Sequence, residues 1–289
     1  MDLTPLAPFG AEVRGWDPSR DLTDAEVGYV RDALAAHVLL CFRGHPVPTH
    51  AELARFALRF GDVAAAGEMY GIELAQREVL EVSNELNEQG KEKGVAGSGS
   101  IPWHTDYAFH PRPAKETFLE AYKLPPGGGP QTCFLDMYDA YETLPDELRS
   151  RVEGLVARHT LWAAGAYASA DVDPEERAAR ERQVNPDLHY PDDGAGVPHP
   201  VVMTHPRTGR RSLYVSSFVR AFDGVEHEEG RALLDALIVH ADQPQRHYCH
   251  TWQLGDLVVS DQLGTVHKRG LVRANEPRTM RQMSTLLPA

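Results

Sequence analysis

The alternation of apolar and polar residues along this chain predicts many short strands and few helices. Apolar residues recur at helical spacing in "LTDAEVGYVRDALAAH" and in "THAELARFALRFG". Each segment places a glutamate three residues after a threonine, at Thr23 and Thr49, which is the spacing of a helix-initiating capping box. Two more helices are predicted within "LPDELRSRVEGL" and "EHEEGRALLDALIVHAD".

Short apolar or alternating runs predict the strands. They are "VLLCF", "VLEVS", "TFLEAYKL", "TCFLDM", "RHYCHTW", "DLVVSDQ" and "RTMRQMSTLL", and "VVMTHPRTGRRSLYVSS" is typical of a hairpin that turns at "PRTG". Strands do not alternate regularly with helices, so a doubly wound α/β fold is disfavoured. The pattern predicts a mainly β chain with flanking helices, arranged as a β-sandwich or jelly roll.

Two segments have no period of either kind. Residues 84–100, "NELNEQGKEKGVAGSGS", are polar and rich in glycine, and residues 163–200 are irregular apart from a helical patch at "DPEERAARERQ". Long loops inside a compact domain are commonly lids or binding loops. We therefore predict a single domain over residues 1–289, with lid segments at 84–100 and 163–200.

Composition and charge narrow the possible partners. The 289 residues are 42% hydrophobic and 25% charged, as in an ordinary globular protein. A net charge of −13 argues against nucleic acid, and no apolar run is long enough to cross a membrane. The amino terminus has no signal-peptide pattern, and the three widely spaced cysteines, Cys41, Cys133 and Cys249, predict reduced thiols in a cytoplasmic protein.

The stretch "IPWHTDYAFHPRP" holds the strongest candidate for chemistry. If it is a strand or the end of one, His104 and Asp106 point to the same face and can meet one ion. They would then supply two of the three ligands of the two-histidine, one-carboxylate site of non-haem iron(II) oxygenases; the alternative is a surface loop with two incidental polar groups. His267, which follows "WQLGDLVVSDQLGTV", is the preferred third ligand. The competing histidines are His240, His247 and His250.

Iron chemistry of this kind also needs a site for an oxo-acid co-substrate. The far carboxylate of a dicarboxylic 2-oxo acid calls for a buried guanidinium, and "RTMRQMSTL" offers Arg278 and Arg281. Residues 278, 280 and 282 share one face of a strand, so only one of these arginines can point inward. Thr132, just after a glycine-rich turn, offers a hydroxyl.

Together these segments resemble the TauD/TfdA family of iron(II)- and 2-oxoglutarate-dependent oxygenases. The resemblance runs through "FGAEVRGWD", "HVLLCFRG", "WHTDYAF", "GGGPQTCFLDM", "THPRTGRRSLYVS", "WQLGDLVVSDQLGTVHKR" and "RTMRQMSTL", in that order. It implies a double-stranded β-helix, a jelly roll of the clavaminate synthase-like class. It also implies that His104, Asp106 and His267 bind Fe(II), and that Thr132 and Arg278 bind 2-oxoglutarate. With O2, such enzymes convert 2-oxoglutarate to succinate and carbon dioxide as they oxidise a small molecule.

Departures from the family bear on the substrate. Four residues after Arg278, taurine- and herbicide-oxidising relatives carry an arginine for the substrate's anionic group, whereas this chain has Gln282. The family motif "W-D-N" is replaced by Ser260-Asp261-Gln262, which predicts a wider or more polar pocket near iron. The candidate substrate contacts are Tyr70, Asn84, Ser100, Tyr107, Phe109 and Gln282. Tyr70 and Phe109 have an alternative interpretation as core aromatics, and Asn84 as a turn residue.

Several functional interpretations stay open from the sequence. An amino-acid-like or secondary-metabolite substrate is favoured over catabolism of a sulfonate, sulfate ester or aryloxy acid. Alternatives from other classes are a non-catalytic jelly-roll binding protein and a zinc hydrolase, but neither explains Thr132 and Arg278. The expected partner is a small molecule, and self-association into a homo-oligomer is possible.

Overall fold

The computed structural model describes residues 1–67, 77–88, 93–160, 196–273 and 275–288. Its strands are β1 (Asp2–Pro5), β2 (Ala11–Arg14), β3 (Leu39–Phe42), β4 (Leu80–Ser83), β5 (Gly99–His104), β6 (Ala114–Lys123), β7 (Thr132–Asp136), β8 (Val156–His159), β9 (Val197–Pro200), β10 (Val202–Thr204), β11 (Arg211–Leu213), β12 (Val219–Phe222), β13 (His247–His250), β14 (Leu257–Asp261), β15 (Thr265–Val272) and β16 (Thr279–Leu286). The helices are α1 (Asp24–His37), α2 (His50–Leu58), α3 (Met137–Glu142), α4 (Asp146–Val152) and α5 (His227–Ala241).

Two sheets dominate the described part of the chain. Seven strands pair in the order β1-β2-β3-β14-β6-β16-β4, and four pair in the order β13-β7-β15-β5. Strand β6 lies inside the larger sheet because it pairs with β14 on one edge and β16 on the other. Smaller sheets join β12-β8-β9 and the predicted hairpin β10-β11. The prediction of a mainly β chain with flanking helices is confirmed.

The flanking helices begin where the sequence predicts. The hydroxyl oxygens of Thr23 and Thr49 accept the backbone N–H of Glu26 and Glu52, and each glutamate accepts the threonine N–H in return. Such a cap satisfies donors that a helix amino terminus otherwise leaves unpaired. The apolar faces of both helices pack on the outer side of the larger sheet in one buried cluster.

The inner faces of the two sheets share a second core. Phe134 comes from the smaller sheet, whereas Val258 and Met280 come from the larger one, and Trp252 completes the same buried cluster. Alternate residues of facing sheets interdigitate in this way in a β-sandwich. Met280 therefore shows which face of β16 points inward, and Arg278 and Gln282 share that face.

The two predicted lid segments, 163–200 and 84–100, are described only in part. Residues 197–200, predicted as the end of an irregular insert, form strand β9, which pairs with β8 from Val156 to His159. That part of the prediction was wrong because "VPHP" contains prolines that disguise an edge strand. Residues 163–195 lie outside the described residues, as do 89–92 of the other predicted lid.

The prediction of three reduced cysteines was also wrong. Cys133 on β7 and Cys249 on β13 lie directly opposite each other and form a disulfide. They are 116 residues apart in the chain, so only strand pairing brings them together. Cys41 is free and buried. Among the described residues, no helix has the length and apolar character needed to span a membrane.

Candidate metal and 2-oxoglutarate site

Strand pairing brings the three predicted metal ligands together. His267 on β15 lies opposite His104, the last residue of β5, and Asp106 follows in the turn beyond that strand. Nε2 of His104 is 3.8 Å from Oδ1 of Asp106, and Nε2 of His267 is 3.9 Å from Oδ2 of the same carboxylate. With bonds of about 2.1 Å, two ligand atoms on one ion can be up to about 4.2 Å apart. Both separations are therefore compatible with a single shared ion.

The protonation states of these side chains suit a cation. Burial lowers the pKa of His104, and burial together with the neighbouring His104 lowers the pKa of His267 to about 3. Neutral imidazoles keep a lone pair for a metal. Nδ1 of His104 lies 2.9 Å from the Pro102 carbonyl oxygen, which leaves Nε2 for the ion. Buried Oδ2 of Asp106 has no hydrogen-bond partner, so the donor set fits Fe(II).

An aromatic ring lies beside each of the two histidines. The Phe218 ring lies 5.5 Å from the His104 ring, and the Phe134 ring stacks at 5.6 Å from the His267 ring. These rings lower the polarity around the ligands and limit the access of water to them. Sequence patterns did not single out either phenylalanine. Phe134 lies beside His267 because β7 pairs with β15, and Phe218 approaches His104 from the turn just before β12.

A second cluster of potential ligands has a different character. Cys41, His250 and Asp256 also lie within ligand distance of one another. However, both carboxylate oxygens of Asp256 accept hydrogen bonds from Arg43, and the two ring nitrogens of His250 contact Asp256 and the Tyr248 hydroxyl. Burial raises the pKa of the Cys41 thiol to about 12, so it stays protonated. The second cluster is a charge-compensated network rather than a cation site.

The predicted 2-oxoglutarate anchor is buried inside the sandwich. Arg278 is 2% exposed, and its Nε and Nη2 have no hydrogen-bond partner within the described part of the chain. Burial lowers its pKa to about 10, which still leaves the guanidinium charged at neutral pH. By contrast, Arg281 on the opposite face of β16 donates to Glu120 at 2.8 Å and to the Pro48 carbonyl oxygen at 2.6 Å. The alternation argument is confirmed: one arginine points inward and remains available for an anion.

Thr132 has a partner that the sequence did not suggest. The indole N–H of Trp252 donates to Oγ1 of Thr132 at 3.0 Å, and both residues are buried. An indole can only donate, so Thr132 must accept here and keeps its own hydroxyl hydrogen for another acceptor. A carboxylate is such an acceptor. The two residues lie 120 positions apart, which is why no local pattern signals the contact.

Two predicted substrate contacts belong to an aromatic core. Tyr107 and Phe109 are 3% and 7% exposed, with ring centroids 5.7 Å apart, and they pack with Ala64 and Ala114. Because β5 ends at His104, the alternation with Asp106 on which their prediction rested does not continue through them. These contacts favour the packing interpretation for both residues.

The other substrate candidates are distributed differently. The Asn84 carboxamide donates to the carbonyl oxygens of Arg273 and Glu276 and accepts the Arg278 backbone N–H, so it holds the turn before Arg278. Ser100 lies on β5, four residues before His104. Gln282 is 8% exposed on the inward face of β16, and its side chain makes no hydrogen bond with the described residues. Tyr70 lies outside the described residues.

Known proteins are similar to this chain over nearly its whole length. The family model "Taurine catabolism dioxygenase TauD, TfdA family" matches residues 2–284. The chain is 39% identical to pentalenolactone F synthase of Streptomyces arenae, covering 99% of this chain and 95% of that protein. It is 35% identical to the (S)-phenoxypropionate/alpha-ketoglutarate-dioxygenase of Sphingobium herbicidovorans, covering 93% and 88%.

Solved structures also superpose on nearly the whole of this chain. A crystal structure of AAD-2 in complex with Mn(II) and N-oxalylglycine superposes with a TM-score of 0.79 at 30% identity, covering 100% of this chain and 99% of that one. A taurine dioxygenase from Burkholderia xenovorans gives a TM-score of 0.75 at 26% identity, covering 99% and 91%. The predicted jelly roll is thereby confirmed. The chain belongs to the TauD/TfdA family and is an oxidoreductase, an Fe(II)- and 2-oxoglutarate-dependent dioxygenase.

Proposed function

We propose that His104, Asp106 and His267 hold the iron of this dioxygenase, that Thr132 and Arg278 hold 2-oxoglutarate, and that the substrate is a secondary metabolite. Bound Fe(II) supplies the redox chemistry that couples decarboxylation of 2-oxoglutarate to oxidation of the substrate. The residues of this chain supply the ligands, orient both organic molecules and exclude water.

The observation that carries the proposal is the pair of unsatisfied sites inside one sandwich. Among the described residues, Asp106 presents a buried oxygen without a partner, and Arg278 presents two buried nitrogens without a partner. Buried polar groups are normally paired, and these are the groups that the proposed iron and 2-oxoglutarate would satisfy. A cation satisfies the first group and a carboxylate the second.

The substrate class is argued from Gln282. A carboxamide on the inward face of β16 offers neutral hydrogen bonds, where an arginine would offer a charged fork for an anion. We infer that this chain does not anchor its substrate through a sulfonate or carboxylate at this position. The similarity to pentalenolactone F synthase favours a secondary metabolite. Catabolism of an aryloxy acid is the second candidate, supported by the phenoxypropionate relative.

A coupled substrate screen tests the proposal. The protein is incubated with Fe(II), ascorbate, 2-oxoglutarate and O2, and substrate oxidation and succinate are measured together by mass spectrometry. Metabolites of the pentalenolactone class are compared with taurine and with aryloxy acids. Oxidation of the first group, matched by succinate, supports the proposal. Preferential turnover of an aryloxy acid would favour the second candidate, and absence of any succinate would count against the assigned site.

Replacing Gln282 with leucine should weaken binding of the primary substrate. The loss of one hydrogen bond, about 0.5–1.5 kcal/mol, corresponds to a roughly 2–13-fold higher KM for that substrate, with the KM for 2-oxoglutarate unchanged. Ser284→Ala is the matched control, because Ser284 lies on the same face but its hydroxyl pairs with Thr117. Equal KM values in wild type and Gln282→Leu would remove Gln282 from the substrate site.

Replacing Trp252 with phenylalanine should act on 2-oxoglutarate instead. The change removes the indole N–H that orients the Thr132 hydroxyl while it keeps most of the ring packing. We expect a roughly 2–13-fold increase in the KM for 2-oxoglutarate, the effect of one hydrogen bond. Steady-state kinetics at saturating substrate measure this effect. A change in the KM for the primary substrate alone would contradict the assigned role of Thr132.

A further inference from the structure

We propose that Gln262, with its carboxamide oriented by Ser260, is the residue that positions Asp106 for metal binding. The inference rests on the proposed role of Asp106 as an iron ligand. It assigns a role to Ser260 and Gln262, the two residues that differ from the family motif "W-D-N". It also makes metal affinity depend on a contact between the two sheets.

Asp106 needs support that its own strand does not supply. Strand β5 ends at His104, so Asp106 lies beyond the ladder of backbone hydrogen bonds that fixes His104. The next residue, Tyr107, has a φ of 54°, a left-handed conformation that side-chain-bearing residues seldom adopt. A turn of this kind persists only where surrounding contacts hold it. The orientation of the carboxylate therefore depends on what binds the backbone at 105–107.

Gln262 makes that contact. Its Oε1 accepts the Asp106 backbone N–H at 2.9 Å and the Thr105 hydroxyl at 3.0 Å, and the Gln262 side chain is fully buried. Its backbone N–H donates to the Lys115 carbonyl oxygen at 2.9 Å, which anchors the residue next to β6. Gln262 therefore joins the turn beyond β5, in the smaller sheet, to the end of β14, in the larger sheet.

Ser260 complements the carboxamide orientation that the Asp106 backbone N–H requires. Nε2 of Gln262 donates to Oγ of Ser260 at 2.8 Å, and Ser260 is 2% exposed. A backbone N–H can only donate, so the carboxamide must turn its oxygen toward Asp106 and its amino group toward an acceptor. The Ser260 hydroxyl is that acceptor. The serine that stands in place of the family aromatic thus supports Gln262.

The segment that connects β14 to β15 contains Gln262 and also leads to the third proposed ligand. Gln262 lies between β14 and β15, and His267 follows it by five residues on β15. A shift of this connection would therefore move the Asp106 turn and the start of the His267 strand together. Residues that support metal ligands in this way typically change metal affinity by about 10–100-fold when they are lost.

Metal affinity of matched variants tests the proposal. Gln262→Met keeps the length of the side chain but removes the acceptor, so Mn(II) affinity is expected to fall by about 10–100-fold. Thr105→Val is the control: it removes the Thr105 hydrogen bonds to Gln262 but keeps the bond from the Asp106 N–H. Its Mn(II) affinity should stay within about threefold of wild type, a margin below the loss expected at Gln262. Binding is measured by electron paramagnetic resonance of free Mn(II), and folding by thermal denaturation.

The outcomes separate a positioning role from a general structural one. Both variants lose buried hydrogen bonds and should melt at lower temperature, but only Gln262→Met should lose metal affinity. Equal Mn(II) affinity in Gln262→Met and wild type would overturn the proposal. If Gln262→Met does not fold, Ser260→Ala decides, with an expected loss of about 3–13-fold from one hydrogen bond; a loss no greater than that of Thr105→Val would overturn the proposal. A wild-type protein that binds no Mn(II) would refute the proposed metal site and this inference with it.

Discussion

The His267→Ala variant is expected to lose metal binding and succinate formation altogether. In the proposed site His267 supplies one of three side-chain ligands, and the remaining pair, His104 and Asp106, lie two residues apart where β5 ends. Loss of a residue that merely supports a ligand already costs about 10–100-fold in affinity, so loss of the ligand itself should exceed that range. Mn(II) titration and a succinate assay with Fe(II) measure the two effects.

A second histidine variant serves as the control for this result. His240 competed with His267 as the third ligand in the sequence, but it lies on α5, where Nε2 contacts the Ala140 carbonyl oxygen at 2.9 Å. His240→Ala should therefore keep the metal affinity and succinate formation of the wild type. If His267→Ala still bound Mn(II) as the wild type does, the assignment of the three ligands would be wrong.

The second large effect is expected at Arg278. Replacing it with methionine should raise the KM for 2-oxoglutarate by about 30-fold to several thousandfold, because loss of one partner of a buried charge pair costs about 2–5 kcal/mol. Binding of Mn(II) in the absence of 2-oxoglutarate should not change, since Arg278 is not a ligand. An unchanged KM would refute its assigned role.

Stability should respond to the two arginines of "RTMRQM" in opposite ways. Arg278 is a buried charge without partners at Nε and Nη2, so Arg278→Met should leave the ligand-free protein as stable as before or more stable. Arg281 is equally buried but forms an ion pair with Glu120 at 2.8 Å. Breaking that pair in Arg281→Met should cost about 3–5 kcal/mol of folding stability while the KM for 2-oxoglutarate stays the same. Chemical denaturation without ligands measures the folding stability of the two variants. Kinetics on the folded fraction of each variant measures its KM for 2-oxoglutarate.

Features set by nearby residues could be predicted from the sequence. The two capping boxes need only a threonine and a glutamate three residues apart, and both are formed. The inward direction of Arg278 follows from the two-residue period of a strand. The proximity of His104 and Asp106 could also be predicted locally, from their two-residue spacing. The strand argument accounts only for His104, because β5 ends there and Asp106 lies in the following turn.

Contacts between distant segments were decided only by the tertiary structure. Three such contacts join residues more than 100 positions apart. They are the disulfide of Cys133 with Cys249, the hydrogen bond from Trp252 to Thr132 and the hydrogen bond from the Asp106 backbone N–H to Gln262. The packing of Tyr107 and Phe109 against Ala64 and Ala114 likewise joins segments that no local pattern connects. Local periodicity determines which way a side chain points within its own element. Which partner it meets depends on strand pairing, which brings His267 opposite His104, and on how the two sheets pack, which brings Gln262 to the Asp106 backbone.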